Sequence, residues 1–388
     1  MEYIKIGNIA KSIVSGGTPK STKAEYYNGN IPWLNTKEIN FNRIYRTEKC
    51  ITTEGLKNSS AKYIKENCVI IAMYGATAGR AAINKISLTT NQACCNIEVD
   101  SSKMDYNYVY YAIKNDYEHL SSLANGGAQQ NLNSLIIKDF EIPYVNLYIQ
   151  KKISKILTSI DKKIELNNEI NNNLSEQLKM IFYEWFESKM DDDLPDDWKI
   201  VDLQDVATFS QGVQVPIEEQ IEQEKDGFVR FIRIVDITQG SDKEIRFIED
   251  RDRGHVVENE IFMTRYGTPG ILSRNYNGII ANNLFKITPS DGVTSNYLFS
   301  ALNVDRIQKY IKGNATSSTM PAISFSILNN QKVIIPDRET LGKFDEYSET
   351  VRKKLLNIIN ENKRLEQLRD ILLPKLMNGE IDLDNIEI

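Results

Sequence analysis

Ile31-Pro-Trp-Leu-Asn-Thr-Lys-Glu-Ile39 has a counterpart in Val229-Arg-Phe-Ile-Arg-Ile-Val-Asp-Ile237, and the rest of the chain falls into place around that pair. Upstream, Lys5-Ile-Gly-Asn-Ile-Ala-Lys11 precedes Gly16-Gly-Thr-Pro19, as Val201-Asp-Leu-Gln-Asp-Val-Ala207 precedes Gly212-Val-Gln-Val-Pro216. Downstream, Val69-Ile-Ile-Ala-Met-Tyr-Gly75 parallels Ile261-Phe-Met-Thr-Arg-Tyr-Gly267, and Asn91-Gln92 parallels Asn282-Asn283. Asn107-Tyr-Val-Tyr-Tyr-Ala112 then matches Asn296-Tyr-Leu-Phe-Ser-Ala301, and Phe140-Glu-Ile-Pro143 matches Val333-Ile-Ile-Pro336. One such pair is weak. Six in the same order mark a duplication at a shift of about 190 residues, which sets the fold class before any local feature does.

Each copy opens with roughly 140 residues of mixed structure. Cys68–Met73 and Ile261–Thr264 are short apolar runs bounded by Gly or Asn, the pattern of strands. Tyr106–Lys114 and Ser295–Leu302 place aromatic and aliphatic side chains at helical spacing. Gly, Pro, Ser and Asn clusters between them predict loops, and loops on a rigid scaffold are where binding residues gather.

Each copy closes with a long helix. In the first, Ile153, Leu157, Ile160, Ile164, Asn167, Asn171, Leu174, Leu178, Ile181 and Trp185 step by alternate fours and threes. The second has its own seam in Phe344, Ser348, Val351, Leu355, Ile358, Asn362, Leu365, Arg369, Leu372 and Leu376. A 3.5-residue apolar repeat held this long is a coiled-coil signature; two ordinary amphipathic helices would show a wider stripe. Asn171 and Asn362 occupy the same seam position, where a polar residue costs stability but fixes register. Paired antiparallel, helices about 57 Å long would relate the copies by an approximate two-fold axis and hold them at a set separation. Pro374 is expected to end or kink the second helix. The acidic stretch Lys189-Met-Asp-Asp-Asp-Leu-Pro-Asp-Asp-Trp198 is expected to be a solvated connection.

The predicted organisation is therefore α+β: two similar α/β domains, separated by two long antiparallel helices forming a coiled coil, with pseudo-two-fold symmetry. The first domain covers 1–145, the first helix 146–188, the linker 189–199, the second domain 200–337, and the second helix with its tail 338–388.

The net charge of −6 is a weak argument against a nucleic-acid partner, because phosphate binding usually leaves a basic footprint. Its distribution is uneven: residues 1–145 carry +3, whereas 146–199, 200–337 and 338–388 carry −3, −4 and −2. A nucleic-acid reader built this way is expected to share phosphate contacts with a more basic partner. The four cysteines, Cys50, Cys68, Cys94 and Cys95, lack CxxC spacing and suit a reducing compartment. No run is apolar enough to span a membrane and no signal-peptide core is present, so a cytoplasmic location is expected.

Gly16-Gly-Thr-Pro19, Ile31–Ile39 and Tyr74-Gly-Ala-Thr-Ala-Gly79 resemble a target-recognition domain of the specificity subunits of type I restriction-modification systems. Leu365-Glu-Gln-Leu-Arg-Asp-Ile-Leu-Leu-Pro-Lys-Leu-Met-Asn-Gly-Glu380 is similar to the second conserved helix of that family. The resemblance covers essentially the whole chain in the order domain, helix, domain, helix. The second domain departs from the pattern, with Gly212-Val-Gln-Val-Pro216 and Arg265-Tyr-Gly-Thr-Pro-Gly270 in place of the first domain's versions.

The resemblance implies a subunit without catalysis that reads a bipartite double-stranded DNA site, one half per domain. The half-sites would lie roughly one helical turn, about 34–36 Å, apart. The helices would dock two methyltransferase subunits, which carry S-adenosylmethionine and methylate adenine, while a motor-nuclease restriction subunit completes the complex. The chain itself would bind no cofactor and no membrane. The alternative is a recognition subunit of a type II system whose partner fuses methyltransferase and nuclease.

Direct readout pairs Arg or Lys with guanine and Asn or Gln with adenine. The loop candidates in the first domain are Thr18, Lys20, Ser21, Lys23, Asn35, Thr36, Lys37, Tyr74, Arg80, Asn91, Gln92, Gln129 and Gln130. In the second they are Gln211, Gln214, Arg230, Arg233, Arg265, Tyr266, Arg274, Asn282, Asn283, Ser317 and Thr319. Gly75, Gly79 and Gly267 are expected to serve backbone geometry, and Trp33 the core.

Enzyme signatures are wanting. Gly75-x-x-x-Gly79 lacks dinucleotide spacing, and Gly17-Thr-Pro-Lys-Ser-Thr22 has no glycine before its lysine, so it is not a phosphate loop. There is no Asn/Asp-Pro-Pro-aromatic motif of a methyltransferase. His119 and His255 have no companions at metal-ligand spacing, and Asp337 and Glu339 read as the start of a helix.

Overall fold

The computed structural model describes residues 2–125, 131–190, 194–238, 244–315 and 321–383. Two compact units are present, Met1–Leu166 with Asn362–Ile388 and Asn167–Glu361. Each contains one α/β domain and a half of each long helix, so the division falls inside the helices rather than at their starts.

In the first unit a five-stranded sheet runs in the order Ala10–Ser15, Cys94–Val99, Val69–Ala72, Ala81–Asn84, Asn42–Ile44. A four-stranded sheet runs Lys49–Ile51, Tyr27–Leu34, Leu88–Thr90, Tyr63–Ile64, and Glu2–Lys5 pairs with Glu141–Tyr144. The second unit repeats the plan. Its sheets run Ala207–Gln211, Leu284–Pro289, Ile261–Thr264, Leu272–Ser273 and Arg246–Glu249, Phe228–Ile232, Gly278–Ile280, His255–Val256. Lys199–Asp202 pairs with Lys332–Ile335. The sheets that hold Tyr27–Leu34 and Phe228–Ile232 each have one parallel pairing, Leu34 with Thr90 and Ile232 with Ile280. Only the edge strand Asn42–Ile44 has no counterpart among the described residues.

The central strands are apolar on both faces because both are covered. Val69 and Ile71 join a core with the helix Tyr106–Asn115, while Ile70 and Ala72 join a second core with Leu34, Ile39 and Leu88. Ile261 and Met263 face one way and Phe262 the other in the same fashion. Each such Val, Ile, Leu, Phe or Met side chain contributes about 1.5–3 kcal/mol by leaving water. The helices against these strands start at matching caps: Asp105 Oδ1 accepts from Tyr108 N at 2.9 Å, and Thr294 Oγ1 from Tyr297 N at 3.1 Å. Trp33 is buried and donates from Nε1 to Gly17 O at 3.0 Å.

The long helices span Leu147–Trp185 and Arg338–Met377. Their caps also match, Asn146 Oδ1 accepting from Ile149 N and Asp337 Oδ1 from Thr340 N, both at 2.9 Å. Two further bonds, from Thr340 Oγ1 and Trp198, help to hold the Asp337 carboxyl down to about 2. In each unit the helix segments run antiparallel. In the first, Ile153 and Leu157 share a core with Leu373, Leu376 and Met377, whereas the later Asp161 accepts from the earlier Arg369 at 3.1 Å. In the second, Asn167 donates to Glu361 Oε2 at 2.8 Å, and Phe182 meets Phe344 with ring centres 5.5 Å apart.

Ile153, Leu157, Ile160, Ile164, Leu178 and Val351 are buried; Leu174, Leu355, Ile358, Leu365 and Leu372 are half-buried. Of the seam asparagines, Asn167 and Asn362 are buried and Asn171 half-buried.

One expectation is corrected in part, the ending of the second helix at its proline. The second helix does not stop at Pro374 but continues to Met377, with Asn378 N donating to Pro374 O at 2.9 Å. Proline removes only its own N–H, and the carbonyl left over belongs to exposed Asp370, where water can satisfy it. Among the described residues of the acidic connection Pro195, Asp196 and Asp197 are exposed, and its end is anchored: Trp198 packs on Phe186 and donates from Nε1 to Asp337 Oδ2 at 3.0 Å. The cysteines are all free, and burial raises the thiols of Cys68 and Cys95 to about 11 and 12, as expected of small buried hydrophobes.

Candidate nucleic-acid interface

Four loops meet at one edge of the first domain, held by bonds between them. The first carries Gly16-Gly-Thr-Pro19; Gly16 N donates to Cys94 O at 3.3 Å and Gly17 N to Thr90 O at 2.8 Å. A Cβ on Gly16 would lie 2.2 Å from Thr90 O, so only glycine lets the two backbones approach. Thr18 Oγ1 donates across the gap to Gln92 Oε1. The Asn35–Glu38 turn is closed by Asn35 N donating to Glu38 Oε1 at 2.9 Å, and Asn35 Oδ1 accepts from Asn91 Nδ2 at 2.9 Å. The fourth loop, after Val69–Ala72, turns at Gly75 with φ +77°, and Thr77 Oγ1 donates to Thr36 O at 3.1 Å.

The second domain builds the same frame. Gly212 N donates to Leu284 O at 3.1 Å, and a Cβ there would lie 2.3 Å from Ala281 O. Arg233 N donates to Asp236 Oδ2 at 2.7 Å, closing the turn that Asn35 and Glu38 close in the first copy. Gly267 has φ +70°, matching Gly75. Gln214 stands where Thr18 does, and its Oε1 accepts from Asn282 Nδ2 at 3.4 Å.

These bonds correct one pairing of the repeat. Asn91 N donates to Leu34 O at 3.0 Å and Ala281 N to Ile232 O at 2.9 Å; Met73 N donates to Ala93 O and Arg265 N to Asn283 O. Asn91 therefore corresponds to Ala281, Gln92 to Asn282 and Ala93 to Asn283. Shared asparagine identity had placed the match one residue off.

The candidate readers divide into three groups. Thr18, Lys20, Ser21, Lys23, Lys37, Tyr74, Gln92, Gln211 and Gln214 are exposed, and Thr36, Arg80, Tyr266, Asn282 and Asn283 half-buried, on the loops just described or beside them. Several are held by neighbours. Lys23 pairs with Glu25 at 3.2 Å, Lys37 with Glu48 at 2.7 Å, and Arg80 donates to Asn40 Oδ1 at 2.8 Å. Gln211 donates to Asn282 O at 3.1 Å, Arg265 to Ile323 O at 3.1 Å, and Arg233 reaches Asp236 and Glu244 O. Arg230 lies over the Tyr276 ring at 5.3 Å.

Asn91 and Arg274 form the second group, and both are corrections. Asn91 is buried, donating to Asn35 and accepting from Ala93 N at 3.1 Å; it braces the frame. Arg274 is buried over the Phe299 ring at 4.1 Å and donates to Asn296 Oδ1 at 2.7 Å. Burial lowers its guanidinium to about 10. Both side chains are taken up by these internal contacts. Gln129, Gln130, Ser317 and Thr319, the third group, lie outside the described residues.

Sequence reasoning missed the buried charges between each domain and its helix. Arg43, on the edge strand, donates to Asp161 Oδ2 at 3.2 Å, Glu165 Oε1 at 3.1 Å and Tyr111 OH at 3.0 Å. In the other unit Arg352 donates to Asn275 Oδ1 at 2.6 Å and pairs with Glu258 and Glu349.

Each domain thus presents one edge of exposed or half-buried hydroxyls, amides, a tyrosine and basic side chains on a braced frame, a composition suited to recognition. Among the described residues no group of three or more His, Cys, Asp or Glu could hold a metal ion, and no helix is long and apolar enough to cross a membrane.

Two braced polar edges on a duplicated α/β scaffold define a two-headed recognition protein. Residues 1–176 and 195–368 each match the family model for the type I restriction modification DNA specificity domain, and the chain belongs to that family as a specificity subunit. It is 27% identical over 406 residues to the MjaIX specificity subunit of Methanocaldococcus jannaschii, covering 98% of this chain and 94% of the relative. To the EcoR124I/EcoR124II specificity subunit of Escherichia coli it is 28% identical over 159 residues, 39% of each chain. The crystal structure of a type I S subunit from M. genitalium superposes with a TM-score of 0.59 at 18% identity, covering 97% of this chain and 95% of that one, which shows the shared fold.

Proposed function

We propose that this specificity subunit reads a bipartite DNA sequence, one half-site through each braced edge, and contributes no catalytic group of its own. The long helices dock two methyltransferase subunits, which bring S-adenosylmethionine, and a motor-nuclease restriction subunit joins them. The type I relatives favour this over a type II assembly. Partners of that kind also account for an acidic reader, since the phosphate contacts are then shared.

The carrying observation is the repetition of one frame with different polar residues on it. Thr18 and Gln92 in the first domain correspond to Gln214 and Asn282 in the second. Amide side chains suit adenine, and a threonine methyl suits thymine, so like frames would read unlike sequences.

Exchange of residues 200–337 for the corresponding part of another recognition domain tests this. With a cognate methyltransferase present, mapping of methylated adenines is expected to find one half of the motif replaced and the other kept. Alteration of both halves would overturn the assignment of one domain to one half-site.

A further inference from the structure

The two copies meet their long helices through a buried charge at one and the same helix position, and the sign of that charge is reversed. The caps Asn146 and Asp337 start the two helices in register, which places Asp161 of the first opposite Arg352 of the second in the alignment of the copies. Both are shielded, their side chains 7% and 6% exposed. Asp161 is met by a cation from its domain, Arg43, whose side chain is 2% exposed. Arg352 is met by an anion from its domain, Glu258, at 3.1 Å, with Asn275 alongside.

The surroundings follow the same reversal. Asp161 also faces Tyr111 at 2.6 Å, Arg369 of the second helix at 3.1 Å and, through its field, Lys114. Around Arg352 the helix supplies Glu349, where the first helix has Thr158, and the position matching Arg369 is the apolar Leu178. A second domain placed on the first helix would set Glu258 against Asp161. A first domain on the second helix would set Arg43 against Arg352. The like charges would repel, most strongly between Arg43 and Arg352, whose side chains are 2% and 6% exposed, and less at Glu258, which is 55% exposed; neither would keep its partner.

We propose that this charge reversal is an address that admits each recognition domain to its own helix, and so fixes the order of the two half-sites in the DNA target. The consequence for target order rests on the reading of one half-site per domain; the address itself does not.

The test is a full-length chain carrying the second domain twice, residues 2–145 being replaced by a copy of residues 199–336. It is made with the first helix pair unchanged and with the address rewritten as Thr158→Glu, Asp161→Arg and Arg369→Leu. Thermal unfolding without DNA is expected to place the rewritten chain about 5 °C or more above the unchanged one. Equal or lower melting of the rewritten chain overturns the proposal. Should neither chain fold, the native chain decides. There Glu258→Arg is expected to lower the melting temperature, and Glu258→Arg with Glu349→Thr and Arg352→Asp to recover at least half of the loss. A triple variant no more stable than the single one overturns it. Failure of the domain exchange described above to change one half-site, with these melting results intact, would remove the half-site reading and leave the address standing.

Discussion

Asp161→Ala is expected to destabilise the first compact unit by about 3–5 kcal/mol, the usual result of removing one partner from a buried ion pair. Arg43, with its side chain 2% exposed, would keep its charge in a space closed to water and lose one of its two carboxylates. Tyr111 OH and Arg369 would lose their bonds to the same carboxylate. Burial pushes the Asp161 carboxyl up, but Lys114, Tyr111, Arg43 and Arg369 pull it down by more, and it titrates below the ordinary 3.8. Its contribution is therefore complete above about pH 4–5 and fades as acid titrates the carboxylate through its lowered value. Thermal or urea unfolding at pH 7 checks the size, and the same measurement near pH 3 should show a smaller gap between wild type and variant. Glu165→Gln is the control: that side chain is 30% exposed and should cost no more than about 1 kcal/mol.

Gly16→Ala is expected to abolish recognition by the first domain while the second keeps its fold. The added Cβ would stand 2.2 Å from both Thr90 O and Thr90 Oγ1 and 2.3 Å from Asn91 O, and backbone oxygens cannot rotate aside. The loop carrying Thr18 must lift away and break the Gly17 N to Thr90 O bond, parting Thr18 from Gln92. DNA affinity of the assembled methyltransferase should fall at least tenfold, about 1.4 kcal/mol or more, with little change in salt dependence because phosphate contacts are not the ones removed. Gly75→Ala is a weaker neighbour: no atom stands within 4 Å of its Cβ, and only the strain of φ +77° opposes it. Wild-type affinity in Gly16→Ala would mean that the first loop takes no part in binding.

Much of this was legible from residue order. The duplication surfaced as paired motifs, and paired motifs became paired strands and caps down to single hydrogen bonds, such as those of Gly16 and Gly212. The helical seam was legible because a 3.5-residue spacing has few other causes. The off-by-one match of Asn91 follows from asparagine identity with Asn282, whereas the backbone bonds align it with Ala281; its role is to brace a turn against Asn35. Arg274 was misread for a related reason. A buried arginine and a surface arginine look alike until the partner is known, and its partner Asn296 is 22 residues away. Arg43 and Asp161 are 118 apart. One signal was available: Asp161 sits directly beside the seam residue Ile160, at a place where the other copy has an arginine.

The most direct test of two unlike readers on one duplicated scaffold is the methylome of cells expressing this chain with its methyltransferase. A two-part motif is expected, two short defined sequences of different composition separated by a gap of unspecified bases. A single uninterrupted motif would contradict it.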